Sequence, residues 1–337
     1  MTDMRGLRKF AAWVLGGVFF IAGILKMMDP VGTGLIVEEY YKFFGLGFLM
    51  FSAKFVGMGL ALLETVLGAA VITGVWRRVT ASVALAVLAG FTVITAILWI
   101  ANPAMDCGCF GEAIHLTHAQ SFIKNIILLA FWALAYLPFI KMLPADRIKY
   151  VSFAIGSISA ILFMFWSLGG IPAMDFTPFK PGTELDGGPV LSFCDGAYDY
   201  HDELAMEGNV IVFSAYDPDR LGKQQKADIY SCMEEANYAG YTTLFLLGCG
   251  PDGFDDATAF FADRRTLMTL NRSNGGATFI SDGQIVCKWP NRSLPSQDKL
   301  AALAVTDTTE SVIKENSPQQ NKLQAFLLYC FAVLLLL

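Results

Sequence analysis

Residues 79–111 read VTASVALAVLAGFTVITAILWIANPAMDCGCFG. Residues 79–101 carry no charge and are long enough to cross a bilayer, since a spanning helix needs roughly 20 apolar residues. Further apolar segments at about 10–27, 48–75, 120–140 and 150–171 meet the same criterion. A shorter run at 323–337 ends in Val333-Leu-Leu-Leu-Leu337 and reads as a short sixth span, with an interfacial tail as the alternative. Over 337 residues, 55% are hydrophobic and 16% charged, and the mean hydropathy is +0.50. A soluble chain carries roughly 25% charged residues, so much of this surface faces something other than water. The net charge of −6 argues against nucleic acid as a partner, which demands a basic face. The expected fold class is an α-helical polytopic membrane bundle plus an α/β domain outside it.

The first apolar run lacks a small-residue cleavage site and continues into Lys26-Met-Met-Asp29-Pro30, so it reads as a retained helix. Arg5, Arg8 and Lys9 precede it; Arg77 and Arg78 separate the second and third spans; Lys141, Arg147 and Lys149 separate the fourth and fifth. Alternating spans put all three clusters on one side, which the positive-inside bias makes cytoplasmic. The first outer loop holds Asp29, Glu38, Glu39 and one Lys42, and the outer loop at 102–119 holds no Lys or Arg. Residues 172–321 then fall outside, and the expected location is a bacterial inner membrane with a cytoplasmic N-terminus and a periplasmic domain. Cys107, Cys109, Cys194, Cys232, Cys249 and Cys287 share that outer side, where disulfides are permitted; Cys330 lies in the last apolar run.

Asp106-Cys107-Gly108-Cys109-Phe110-Gly111 follows the third span. Two cysteines one residue apart can exchange as a dithiol–disulfide pair, and so small a ring makes a strained, labile disulfide. Gly108 and Gly111 relieve the backbone in a tight turn. His115 and His118 follow, which leaves a metal site as an alternative, although the spacing departs from the usual C-x2-4-C and H-x3-5-H pattern. A structural turn is the third reading. Which cysteine would attack is not set by the spacing, and Asp106 disfavours a neighbouring thiolate.

This loop resembles the MauE/DoxX family of four-helix membrane proteins. Phe19, Gly23, Lys26, Asp29-Pro30 and Gly32 fit the same family, as do Leu63-Glu64, Gly68, Thr73-Gly74, Ser121-Phe122 and Lys124-Asn125. The resemblance covers residues 8–140. It implies thiol–disulfide redox work at the membrane, with Cys107 and Cys109 as the exchanging pair and an extracytoplasmic thiol or disulfide protein as partner. MauE itself is associated with maturing a disulfide-rich periplasmic dehydrogenase. A further likeness to thiol oxidoreductases that feed electrons to quinone implies a membrane quinone as the candidate cofactor.

Ionisable groups at membrane depth point to function by default. Glu64 lies well inside the second span, Lys26 ends the first, and Lys54 lies near the outer start of the second. At a rise of about 1.5 Å per residue, Lys26 falls too near the outer face to meet Glu64, and its long stem would let it turn outward. Glu64 reads either as a hydrogen-bonded buried carboxyl or as a proton acceptor near the thiol loop. Asp106, Glu64 and Lys26 are the supporting candidates.

Beyond a connector at 172–182, the outer domain shows a strand at 209–215, a helix at 219–238 and a strand at 241–247. A helix at about 254–262 follows, then hairpin strands at 277–280 and 284–288 around Ser281-Asp282-Gly283, and a helix at about 296–304. That order resembles a thioredoxin fold spanning 172–306. The stretch matching the family's C-x-x-C, Tyr216 to Gly222, has no cysteine, and the cis-proline position falls on Gly275. The resemblance therefore implies a degenerate module. Cys194, Cys232, Cys249 and Cys287 allow three complete pairings, and read as structural disulfides or as redox partners of the loop. Residues 1–149 form the bundle, 150–171 the fifth span, 307–322 a linker and 323–337 the last span. The chain as a whole reads as a bilayer-embedded thiol–disulfide oxidoreductase or an accessory factor for extracytoplasmic redox maturation. The competing reading is a non-enzymatic scaffold.

Overall fold

The computed structural model describes residues 2–137, 145–168, 170–172, 174–248 and 259–336. The chain divides into two compact units, Met1–Gly169 with Gln324–Leu337, and Gly170–Leu323.

The first unit is helical. Helices α1 (Thr2–Met28), α3 (Ala53–Thr73), α4 (Arg77–Ala101), α5 (His118–Tyr136) and α6 (Arg147–Ser167) form its body. Five segments, Gly6–Met28, Gly47–Thr73, Arg77–Ala101, His118–Tyr136 and Arg147–Ser167, are long and apolar enough to cross a membrane. Val79, Val93, Ile100, Phe51 and Phe55 lie exposed on them. Large apolar side chains facing outward fit lipid contact, not water. The five longer apolar segments expected from hydropathy are each found as helices, with shifted ends.

The first outer loop is not irregular. Asp29-Pro30 interrupts the helix, and α2 (Pro30–Phe43) follows at once. Pro30 occupies the first helical position, where its missing N–H costs nothing, and the Asp29 carboxylate accepts from the Gly32 amide at 2.9 Å. The next chain segment winds as a 3-10 turn, Gly47–Ser52, into α3.

Helices α1 and α3 touch through glycine. A methyl group on Gly68 would lie 2.5 Å from the Phe20 amide nitrogen and 2.6 Å from the Gly16 carbonyl. One on Gly23 would lie 2.5 Å from the Ala61 carbonyl. Only small residues allow backbones to approach this closely, which is how helices pack when the surroundings are as apolar as the side chains. Leu15, Phe19, Leu67, Val71, Leu88 and Trp132 fill the space beside the crossing.

The second unit is a mixed α/β domain. Its strands are β2 (Asn209–Ala215), β3 (Thr242–Leu247), β4 (Ala259–Phe261), β5 (Gly276–Ser281) and β6 (Gln284–Trp289); β1 belongs to the first unit and is described below. They form one sheet in the order β4-β3-β2-β5-β6. The β2–β3 and β3–β4 pairs are parallel, and β2–β5 and β5–β6 antiparallel. Both faces of β2 are covered. Ile211, Phe213 and Ala215 join one core cluster with Ile229 and Ala236 of α7 (Lys223–Tyr238) and Leu300 of α9 (Gln297–Ala304). Val210 and Val212 join another with Leu267 and Leu270 of α8 (Arg264–Leu270). Asp282 and Gly283 turn the β5–β6 hairpin with φ of 45° and 76°, the pair of positive φ values a two-residue hairpin requires.

Two expectations are corrected. In the helix expected at 254–262, residues 254–258 lie outside the described residues, and Ala259–Phe261 is the edge strand β4, with Ala259 opposite Phe245. Pairing to an open sheet edge decides three residues whose local preference is weak. The nearby helix is α8, whose Asp263 carboxylate caps the Arg265 and Thr266 amides. The linker expected at 307–322 is instead part of α10 (Thr308–Leu336), despite Pro318 within it. Asp307 caps its start through the Thr309 and Glu310 amides. The apolar end of α10 packs in the first unit: Phe326 stacks on Phe163 at 4.6 Å, and the Ser152 hydroxyl donates to the Val333 carbonyl. The helix is not among the five long apolar segments.

Replacing Gly68 with Val forces apart backbones already in contact, and overpacking of this kind costs about 1–3 kcal/mol. Thermal unfolding of the purified full chain in detergent should show Gly68→Val clearly destabilised. Gly59→Ala, in the same helix with open space around it, should be neutral or slightly stabilising.

Candidate functional site

The thiol loop is held on the ends of α1 and α2. Helix α4 stops at Asn102, whose φ is 43°; Asn tolerates this left-handed turn better than most residues. The chain returns through Cys107 and Gly108 to the short extended segment β1 (Cys109–Glu112). Gly108 has φ of 59°, and a methyl group there would sit 2.4 Å from the Ile36 side chain, so both backbone shape and space select glycine. The Tyr40 hydroxyl donates to the Cys107 carbonyl at 2.8 Å. Gly111 lies against Lys26, a methyl group there being 3.5 Å from its Cα, and the Glu112 carboxyl closes on Gly32.

Cys107 is buried, and its sulfur lies 2.9 Å from His118 Nδ1. His118 Nε2 lies 3.1 Å from the Pro103 carbonyl. A carbonyl only accepts, so Nε2 carries the proton in the neutral ring and Nδ1 is left as an acceptor. The Cys107 S–H therefore donates to Nδ1. His118 opens α5, where the Thr117 hydroxyl accepts from the Gln120 amide and the Gln120 side chain accepts from the Thr117 amide. This reciprocal cap fixes the first turn and the histidine with it. The Ser121 hydroxyl also faces Cys107, in poor geometry for a hydrogen bond, and it is fully buried with no other partner among the described residues. Burial pushes the Cys107 thiol up, and Cys109 and Asp106 add to this, while the Ser121 hydroxyl and the Lys124 ammonium pull the other way. The arrangement is a buried thiol resting on an imidazole nitrogen.

Asp106 does not reach Cys107's partner. Its carboxylate pairs with His115 Nδ1 at 3.0 Å on the exposed side of the loop. The two histidines thus serve different groups, and among the described residues no three His, Cys, Asp or Glu side chains converge as metal ligands. Cys109 is partly exposed.

Beneath the loop lies an ion pair. Lys26 Nζ donates to both Glu64 carboxylate oxygens at 2.7 Å, with the two side chains 7% and 2% exposed. This corrects the expectation that Lys26 turns outward and misses Glu64. The chain does not leave the bundle at the end of α1. The chain continues as α2 along the first turns of α3, with Gly34 against Lys54 and Gly57 against Thr33, so Lys26 lies deeper than its place near the end of α1 suggests. Lys26 also lies 5.7 Å from the centre of the Phe91 ring. Asn125 and Thr95, hydrogen-bonded at 3.2 Å, extend the buried polar group between α5 and α4.

Cys107, Cys109, Lys26 and Glu64 are therefore gathered in one region of the bundle. His118 was legible only as a metal alternative. Its pairing with Cys107 could have been suspected from the Thr117-x-x-Gln120 cap, which pins His118 to a helix start directly after the loop. In the second unit, Cys194, Cys232 and Cys287 belong to one apolar cluster and stand as separate thiols. Burial pushes the Cys232 thiol up to about 11 and the Cys287 thiol well up. Cys249 lies outside the described residues.

The fold and site define a polytopic helical membrane protein that carries a buried ion pair under a dithiol loop. Residues 4–138 match the family model described as methylamine utilisation protein MauE. With four of the five apolar helices inside it, this part of the chain is a membrane-embedded MauE-like domain. No curated protein and no solved structure matches the chain.

Removing one member of a buried ion pair strands the other charge, which costs about 3–5 kcal/mol. Glu64→Gln and Lys26→Met should each lower the unfolding midpoint in detergent strongly. The double substitution Lys26→Met with Glu64→Leu should recover much of that loss. A double variant as unstable as the sum of the two singles would show that the pair acts through something other than mutual charge compensation.

Proposed function

We propose that this chain is a membrane thiol–disulfide redox protein, or the accessory factor of one, acting in extracytoplasmic disulfide maturation through Cys107 and Cys109. The observation that carries the reading is the Cys107–His118 contact: a thiol with a base aimed at its sulfur, in a tight loop turned by glycines at positive φ. A thiol becomes a nucleophile when a base can take its proton, and a structural turn has no use for that pairing. The lysine and arginine distribution supports a cytoplasmic N-terminus and an outward-facing loop and α/β unit, in an inner membrane, with 323–337 as a sixth span. A membrane quinone is the electron acceptor class that fits such chemistry. The Ser121 hydroxyl, buried and without a good partner beside Cys107, is the donor that would hold a quinone carbonyl; the quinone would accept the electrons of the dithiol.

The second reading, a scaffold carrying a thioredoxin-like binding module, draws on the second unit. Its central sheet and flanking helices suit a thioredoxin-like fold, yet the place of that fold's active site is closed. The Asn274 side chain accepts from the Asp217 amide at 3.0 Å and donates to the Asp217 carbonyl at 2.7 Å. Gly275 takes the place of the cis-proline with φ of 77°. This unit then serves recognition, while exchange belongs to the bundle.

Thiol trapping in native membranes tests the redox reading. Cys107 and Cys109 should be alkylated after reductant and protected after oxidant, together and reversibly. A pair that stays in one state under both treatments, or a Cys107→Ser, Cys109→Ser double variant with full biological function, would leave the scaffold reading standing instead.

A further inference from the structure

The two cysteines of the loop differ in ways that assign them separate roles. Cys107 is 6% exposed, its sulfur is in contact with His118 Nδ1 and the Ser121 hydroxyl faces it. Cys109, two residues on at the start of β1, is partly exposed. Exchange proceeds by attack of a thiolate on a disulfide sulfur through a mixed disulfide, and a protein-sized partner needs access to the sulfur it meets. Cys107 offers none.

Resting on the redox reading above, we propose that Cys109 forms the mixed disulfide with the partner protein and that Cys107 is the internal resolving thiol, with His118 Nδ1 as the group that takes and returns its proton. In the reducing direction, the Cys109 thiolate, its proton released to solvent, attacks a partner disulfide. The partner S–S bond breaks, a Cys109–partner S–S bond forms, and the first partner sulfur leaves and is protonated by solvent. Cys107 then gives its proton to His118 Nδ1 and attacks the Cys109 sulfur. The mixed disulfide breaks, the second partner sulfur leaves and receives the proton held on His118, and a Cys107–Cys109 disulfide remains. Two electrons and two protons pass to the partner. Run backwards, the same steps oxidise a partner dithiol, so the assignment holds whichever way electrons flow.

The Pro103 carbonyl is a positioning group in this scheme. By accepting from Nε2 it keeps Nδ1 unprotonated in the neutral ring and ready for the Cys107 proton. Among the described residues, the titratable and charged groups around the sulfur are Cys109, Asp106, Lys124 and the Tyr40 phenol, with His115 held on Asp106.

The test uses the purified full chain in detergent with oxidised glutathione as the probe, followed by peptide mapping. Cys107→Ser should accumulate a stable glutathione adduct on Cys109. Cys109→Ser should show no adduct on Cys107 over the same period. The wild-type chain should show an early Cys109 adduct that decays to the internal disulfide, which guards against a variant that fails to fold. In His118→Asn this decay should slow by about 100-fold, the scale of a lost general base. Its rate should also climb about tenfold per pH unit towards the thiol's own range, whereas the wild-type rate should depend less steeply on pH. An adduct that appears first on Cys107, or a His118→Asn chain with unchanged rate and pH profile, overturns the assignment while leaving the redox reading intact. A wild-type chain that forms neither adduct nor internal disulfide overturns both.

Discussion

A charged pair buried between two glycine-packed helices sets the geometry of the membrane unit. Lys26 and Glu64 are almost wholly withdrawn from solvent, and neither charge can be tolerated alone in that setting. Their contact fixes where α1 lies along α3. The glycines at 16, 23 and 68 bring the helix backbones into contact, which leaves no slack for either to slide. The floor of the thiol loop is the backbone of the same lysine, with Gly111 packed on Lys26. Position along α1, position of β1 and position of Cys107 are consequently linked.

The loop itself combines two opposing influences. Burial and the nearby Asp106 favour the neutral thiol, whereas His118 supplies a place for its proton. A buried thiol of this kind is less open to solvent-borne oxidants than an exposed thiolate. The α/β unit shows the contrast. Its three described cysteines lie among apolar side chains, where burial raises their thiols, and the Cys232 thiol donates to the Pro295 carbonyl. The Asn274 side chain interlocks with the Asp217 backbone just beyond the end of β2.

Helix-breaking chemistry explains how so many polar groups reach one place. Asp29-Pro30 ends α1 and starts α2 without an intervening loop, so Tyr40 can reach over the thiol turn to the Cys107 carbonyl, 67 residues away. Asn102 and Pro103 end α4, and the carbonyl at that end becomes the acceptor for His118. Each polar group that enters the bundle is met by another, as a low-dielectric interior requires. The exceptions among the described residues of this unit are Arg8 Nε, the Ser121 hydroxyl, the Asn125 carbonyl oxygen and the Ser157 hydroxyl.

The sequence alone determined the spans, because twenty apolar residues in a row have few other fates. It also determined the turn glycines of the thiol loop and the Asp282-Gly283 hairpin, since φ > 0 selects residue type locally. The central strands β2 and β3 were legible as short continuous apolar runs. Only the tertiary structure decided the Lys26–Glu64 pair, 38 residues apart, and the Cys107–His118 pair, 11 apart. It also decided that Ala259–Phe261 is an edge strand and that α10 runs unbroken through Pro318. These outcomes depend on what the rest of the chain places alongside: a second helix on the first turns of α3, an open sheet edge, a cap at Asp307. Local propensity is a fraction of a kcal/mol per residue, and a buried charge or an unpaired strand edge outweighs it.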